Sequence, residues 1–325
     1  MFSSLKNFLN QIICGDAKEV LTQLPDESID CVVTSPPYWA LRDYGVQGQF
    51  GLEASFAEYI DKLCGVFDEV RRVLKPTGTC WVNLGDTYGG GGSGTRFTSR
   101  SKGKTSLLPD DPSFLPKTAH IRGKYDKCLL EIPARFAIEM IARGWILRNE
   151  IIWHKPNVLP SSAKDRFTVD YEKIFFFVKS RTYYFAQQFE ELRDRKRSLR
   201  PMINPEGKRK RIYGNQFISV INPKTAEASR AKTLERGRNK RCVWLIAPRP
   251  FSGNHFAVYP PQLVATPIKA GCPEGGIVLD PFVGSGTTAL VARELGRNFI
   301  GIDLNPEYVK MAEERLTQRV LWCNQ

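Results

Sequence analysis

The stretch Gly276-Ile277-Val278-Leu279-Asp280-Pro281-Phe282-Val283-Gly284-Ser285-Gly286-Thr287-Thr288 decides the fold. The apolar run Ile277 to Leu279 reads as a buried strand that ends on a carboxylate. Pro281 to Gly286 reads as a tight turn, in which Gly284 and Gly286 let the backbone bend sharply and approach a ligand. Thr287 to Leu295 then carries a helix pattern. A strand, a glycine turn and a helix N-terminus form the nucleotide-type corner of a doubly wound sheet. Taken alone, the turn also fits an ordinary βαβ unit.

The next strand, Arg297 to Asp303, ends on a second acid, 23 residues beyond Asp280. An acid there suits hydrogen bonds to both hydroxyls of a ribose. The turn has no lysine to grip a terminal phosphate and is shorter than the full Gly-x-Gly-x-x-Gly fingerprint. An adenosine ligand without a pyrophosphate is favoured: S-adenosylmethionine fits, and NAD, FAD and ATP fit less well. The candidate cofactor residues here are Asp280, Pro281, Phe282, Gly284, Ser285, Gly286, Thr287 and Asp303.

Upstream, strand and helix patterns alternate, which argues an α/β domain with a mainly parallel sheet. Strands are predicted at Gln11–Cys14, Ile29–Thr34, Thr79–Leu84, Ile146–Trp153 and Glu172–Lys179. Helices are predicted at Ala17–Leu24, Ser55–Leu74, Ile132–Arg143, Gln262–Ala270 and Pro306–Arg319. Ser55, with Glu58 three residues on, is a capping-box pattern, and Lys75-Pro76-Thr77-Gly78 is expected to end that helix. Tyr183-Tyr184-Phe185 is a candidate continuation of the sheet after a turn.

Strand Ile29–Thr34 runs into Thr34-Ser35-Pro36-Pro37-Tyr38-Trp39. Each proline lacks an N–H and fixes its own φ, so the strand stops there. The hydroxyl of Ser35 and the carbonyl of Pro36 are expected at a rigid strand end, with the ring of Tyr38 just beyond. Two acceptors under a flat aromatic surface would seat a planar ligand that carries an amino group. A bland Pro-Pro turn leaving a strand is the competing reading.

The formal charge of +13 is uneven. From Arg193 to Arg241 there are 16 Lys/Arg against 4 Asp/Glu, an excess of +12, which a polyanionic partner explains better than a solvated face. A second stretch of low periodicity, residues 87–127, holds a glycine run and eight Lys/Arg between Arg96 and Lys127. The eight cysteines form no Cys-x-x-Cys pair, and His120, His154 and His255 lack metal-ligand spacing, so no metal is predicted. No run of about 18 apolar residues and no signal region are seen, so no membrane association and a reducing, cytoplasmic setting are expected.

Together, Thr34 to Tyr38 and Asp280 to Gly286 resemble the two defining motifs of the amino-group DNA methyltransferases. The order, with the catalytic motif first and the cofactor motif last, is similar to the β class of that family. Gly15-Asp16 resembles its adenine-side cofactor motif, which adds Asp16 to the cofactor set. Arg72 to Gly78 and Trp81 to Asp86 resemble its central strand motifs, and His255 to Pro260 resembles the segment that closes over the methionine part. The family fold implies a doubly wound, circularly permuted, Rossmann-like α/β sheet of about seven strands, order 3-2-1-4-5-7-6, with the last strand antiparallel. The strands at Ile277 and Phe299 take places one and two; those at Ile12, Val32, Trp81, Ile146 and Phe175 take places three to seven.

The resemblance implies methyl transfer from S-adenosyl-L-methionine to an exocyclic amine of a flipped base, with Ser35, Pro36, Pro37 and Tyr38 as catalytic residues. Ser35 at the first motif position favours cytosine N4, and adenine N6 is the alternative. It also implies a methyltransferase domain in two parts, 1–190 and 242–325, around a basic target-recognition insertion at 191–241. Duplex DNA is the implied partner, in a prokaryotic or phage-encoded protein at the nucleoid; a cognate restriction endonuclease and a homodimer are candidate partners that the sequence itself does not decide. The rivals are a non-catalytic nucleic-acid-binding protein and a methyltransferase acting on RNA or a protein amide.

Overall fold

A computed structural model describes residues 5–41, 43–89, 125–158, 160–161, 163–192, 235–248 and 259–318. Among the described residues, ten strands occur in chain order: β1 Gln11–Cys14, β2 Ile29–Thr34, β3 Leu74–Leu84, β4 Ile146–His154, β5 Tyr171–Val178, β6 Phe189–Glu190, β7 Arg238–Asn239, β8 Val243–Leu245, β9 Ile277–Asp280 and β10 Asn298–Asp303. Six helices of the described residues accompany them: α1 Ala17–Thr22, α2 Phe56–Val73, α3 Ile132–Ala142, α4 Pro261–Gly271, α5 Thr287–Glu294 and α6 Pro306–Thr317. None of the described helices is long and apolar enough to cross a membrane.

The main sheet has the order β1-β10-β9-β2-β3-β5-β4-β8. Neighbours pair in parallel except β5, which runs antiparallel to both β3 and β4. Over the first seven strands this is the circularly permuted order expected from the sequence. The eighth, β8, pairs in parallel with Ile152–His154 at the edge.

Side chains alternate across the sheet with period two. Val32, Cys80, Val82, Phe175 and Phe177 pack with α1, α2 and α3 on one face. Cys31, Val33, Trp81, Ile174 and Phe176 pack with α4, α5 and α6 on the other. Trp81 and Phe176 stack with ring centroids 3.9 Å apart. Ser55 caps α2 by accepting from the backbone N–H of Glu58, and Tyr59, Leu63, Phe67 and Val70 form that helix's buried stripe.

Two expectations change. Lys75-Pro76-Thr77-Gly78 does not separate helix from strand: β3 begins at Leu74. Pairing runs from Ile29 with Leu74 to Cys31 with Thr79, so these four residues bulge within the strand. Lys75 anchors the bulge on Asp30 at 2.7 Å. Tyr183 to Phe185 adds no strand; it crosses the end of the sheet, where the Tyr184 N–H bonds the Thr77 carbonyl at 2.8 Å.

The chain divides into two compact units, 1–186 with 242–325, and 187–241. In the second, β6 and β7 pair antiparallel, and Glu190 bonds Arg238 and Arg241 at 2.8 and 2.7 Å. Most of the basic segment (193–234), most of the long loop (90–124), and His255 to Val258 lie outside the described residues.

Candidate active site

The turn after β9 is built around a buried carboxylate. Asp280 is 1% exposed and accepts four hydrogen bonds. Oδ1 takes the Thr34 hydroxyl at 2.6 Å and the Phe282 N–H at 3.0 Å. Oδ2 takes the Thr288 hydroxyl at 2.6 Å and the Tyr259 hydroxyl at 3.0 Å. Burial pushes its carboxyl up, and these donors pull it back. With both oxygens occupied, Asp280 serves as a clamp. Through Thr34 it fixes the residue before Ser35 to the cofactor turn.

Gly284 and Gly286 adopt φ of +51° and +81°. A β-carbon at Gly286 would lie 2.8 Å from that of Ala312, so the turn needs glycine for conformation and for space. Ser285 and Thr287 are buried, and Arg315 of α6 donates to the Ser285 hydroxyl at 2.8 Å and to Thr287 Oγ1 at 3.4 Å. Pro281 is buried; Phe282 is half-buried and meets Phe50 edge-on at 5.4 Å.

Asp303, at the end of β10, faces this turn. Its Oδ2 accepts from the Gly284 N–H at 2.9 Å and its Oδ1 from the Asn305 N–H at 2.8 Å. Burial pushes its carboxyl up to about 6. Such an acid gains from further hydroxyl donors, which suits a ribose. Asp16 lies beside it, because the Gly15 N–H bonds the Asp303 carbonyl at 3.0 Å. Its own carboxylate caps α1, accepting from Lys18 and Glu19 N–H at 2.9 and 3.1 Å. Asp16, Asp280, the glycine turn and Asp303 thus stand at the C-termini of three adjacent parallel strands, where such sheets bind ligands.

The catalytic candidates stand one strand over. Pro36 is buried, while Ser35, Pro37 and Tyr38 are half-buried. The Pro37 carbonyl takes the Tyr59 hydroxyl at 2.8 Å, pinning the turn to α2. Tyr38 leans on backbone: a β-carbon at Gly85 would lie 2.5 Å from its Cε2. Its hydroxyl donates to Glu172 Oε2 at 2.7 Å. Burial and the Glu172 charge push the phenol well up, so Tyr38 stays neutral and acts as a donor.

Three residues that the sequence reading did not select complete the arrangement. Asn83 gives its amide N–H groups to Glu172 Oε2 at 3.1 Å and the Lys173 carbonyl at 3.2 Å. Its carbonyl oxygen is thereby turned toward Ser35 and Tyr38, whose hydroxyls lie at 3.3 and 3.2 Å. Lys155 ion-pairs with Glu172. A Ser35 hydroxyl that donates to Asn83 keeps its lone pairs for an incoming N–H. Asn83 was readable as part of a central strand. Glu172 carried no signal, because only the antiparallel course of β5 brings its N-terminal end beside the C-terminal end of β3. A narrow cleft runs past Thr34, Asn83, Ile174, Tyr259 and Leu263, touching both clusters.

Comparison with known proteins identifies the family and the fold. A family model described as DNA methylase, covering the N6 and N4 enzymes, matches residues 29–314. Type II methyltransferase M.SmaI of Serratia marcescens is 39% identical over 310 residues, spanning 95% of this chain and 91% of the relative. Type II methyltransferase M.Cfr9I of Citrobacter freundii is 38% identical over 304 residues, spanning 93% and 86%. Among solved structures, the cytosine-N4-specific PvuII DNA methyltransferase superposes with a TM-score of 0.61 at 21% identity, covering 95% of this chain and 87% of that one. The Thermus thermophilus protein TTHA0409, solved with S-adenosyl-L-methionine, gives 0.56 at 24% identity, covering 96% and 97%. These two structures share the fold, and the family match with the two close relatives places the chain in the N6/N4 family of DNA methylases.

Proposed function

We propose that this protein methylates the exocyclic N4 amine of a cytosine flipped out of duplex DNA, at a specific site, with S-adenosyl-L-methionine as donor. The observation that carries the reading is Ser35, held by Asn83 as an acceptor at the end of β2, one strand from the glycine turn. The cytosine-N4-specific PvuII enzyme shares this fold, and the Type II names of the close relatives support a site-specific enzyme paired with a restriction endonuclease.

Asp303 and Asp16, with the backbone of Phe282 to Gly286, would hold the donor's adenosine. When bound, the donor supplies an electrophilic methyl group. The protein's task is to make a poor nucleophile reactive, because the amine's lone pair is delocalised into the base. Ser35 Oγ and the Pro36 carbonyl accept its two N–H bonds, which favours a pyramidal nitrogen and stabilises the positive charge that grows on it. Holding both reactants in one orientation supplies much of the acceleration. Tyr38, steadied by Glu172, stacks on the extruded ring. The basic insertion 191–241 serves as target-recognition region, with Arg and Lys on phosphates. Labelled methyl transfer to DNA, with nucleoside mass spectrometry and methylation-sensitive sequencing, tests the reading. N4-methylcytosine at one sequence is expected; N6-methyladenine would overturn the choice of base, and methyl-free DNA the reaction itself.

A further inference from the structure

The connection between β4 and β5 leaves the sheet at Lys155 and returns at Tyr171, both at the catalytic end. It is tied down at several points. The Lys155 N–H bonds the Asp170 carbonyl at 2.7 Å, and His154 lies 3.3 Å from the Asp170 carboxylate. Lys127 reaches Asp165 at 2.7 Å, and the Arg166 guanidinium sits over the Tyr88 ring at 3.5 Å. Among these anchors Phe167 is 94% exposed, with Val169 at 45% and Tyr171 at 39% following at alternate positions. Lys164 and Arg166 are exposed beside it.

A large apolar ring held in water by fixed neighbours has no role in the packing of this fold. Its flanking cations suit a phosphate backbone. A phenyl ring has no atom to hydrogen-bond a base edge, but it can enter a base stack. Phe167 lies five residues from Glu172, the residue that holds Tyr38, a span of at most roughly 17 Å of chain. One loop therefore carries, within that span, both an exposed ring and the residue that steadies Tyr38.

We propose that Phe167 is a wedge that enters duplex DNA and fills the gap left when the target base swings out. This rests on the base-flipping reading given above. The test uses full-length protein with Phe167→Ala and Phe167→Trp, on two duplexes carrying the sequence found by methylation mapping. One duplex is fully paired; in the other, the base opposite the target is missing, so the target is already unpaired. Phe167→Ala is expected to lose about tenfold or more in kcat/KM on the paired duplex and to come within about twofold of wild type on the unpaired one. Phe167→Trp is expected to stay near wild type on both. Unchanged S-adenosyl-L-methionine binding by Phe167→Ala establishes that it is folded. No loss on the paired duplex would overturn the wedge. An equal loss on both duplexes would also overturn it, assigning Phe167 to a contact that does not depend on flipping. A wild-type protein that methylates the paired duplex without raising the fluorescence of 2-aminopurine placed beside the target would instead sink the base-flipping reading.

Discussion

At the scale of single residues, the proposed chemistry rests on Ser35. Its hydroxyl donates toward Asn83, so Ser35→Ala removes an acceptor for the amine without opening the cofactor corner. A loss of methyl transfer of roughly a hundredfold or more is expected, with unchanged donor affinity by calorimetry. Full activity in that variant would end the acceptor role. Glu172 acts one step back. Glu172→Gln keeps one oxygen for Tyr38 and Asn83 but loses the charge and the second oxygen that hold Lys155, and sets an amide N–H group against that ammonium. Misplacing Ser35 and Tyr38 is expected to lower kcat about tenfold to a hundredfold with little change in donor affinity. Equal kcat would make Glu172 a stability residue only.

Asp303 adds a pH dependence whose sign follows from its environment. Its carboxyl is raised to about 6, so the free folded protein holds this proton more tightly than the unfolded chain does. Asp303 therefore makes folding stability fall as pH rises from the ordinary carboxyl range through about 6. If Asp303 holds the donor's ribose as proposed, its ionised form accepts both hydroxyls better, so donor binding expels the proton. Affinity for S-adenosyl-L-methionine should weaken about tenfold from pH 7 to pH 5, and Asp303→Asn should bind weakly with a flat profile. Titration calorimetry at the two pH values checks this. The site residues were legible in unequal measure. Ser35, Tyr38, Asp280 and Asp303 sit at strand ends marked by proline or glycine. Glu172, Asn83 and Lys155 are ordinary polar residues of strands or their ends, brought together by sheet order alone.

At the scale of elements, local signals fared best where one element speaks for itself. The apolar spacing and cap of α2 and the strand–turn–helix of β9 and α5 need no distant partner. β8 did need one: three residues, two of them exposed, become a strand because Ile152 to His154 offer a free edge. The start of β3 was hidden for a related reason. Lys75-Pro76-Thr77-Gly78 has turn chemistry, and its extended path comes from pairing beside β2 and from the Lys75–Asp30 contact. The cap of α2 gives a prediction at this scale. Ser55→Ala removes the acceptor for the Glu58 N–H and should cost about 1 kcal/mol of stability with kcat unchanged. Chemical denaturation measures the first and methyl transfer the second; an unchanged denaturation midpoint would mean the cap adds nothing in this context.

At the scale of the whole molecule, the fold and the charge divide the work. The permuted sheet brings residues from both ends of the chain to one catalytic edge: Asp16 and Ser35 from the start, Asp280 and Asp303 from the end. Nearly all of the net charge lies between them in sequence, +12 of +13 within 193–241. Donor and DNA binding should therefore respond differently to salt. On the proposed reading, donor recognition rests on short-range hydrogen bonds and turn geometry, whereas the basic segment would release counterions on meeting phosphates. If that segment makes about 6 or more phosphate contacts, DNA affinity should fall roughly a thousandfold between 50 and 200 mM salt, while donor affinity changes less than about twofold. Replacing Arg193, Arg195, Lys196 and Arg197 with Gln should flatten the slope of log K against log salt by up to about 3 to 4, weakening all duplexes alike. An unchanged slope would remove these four residues from the DNA surface. A loss confined to the methylated sequence would show that they read bases and do not simply hold the backbone.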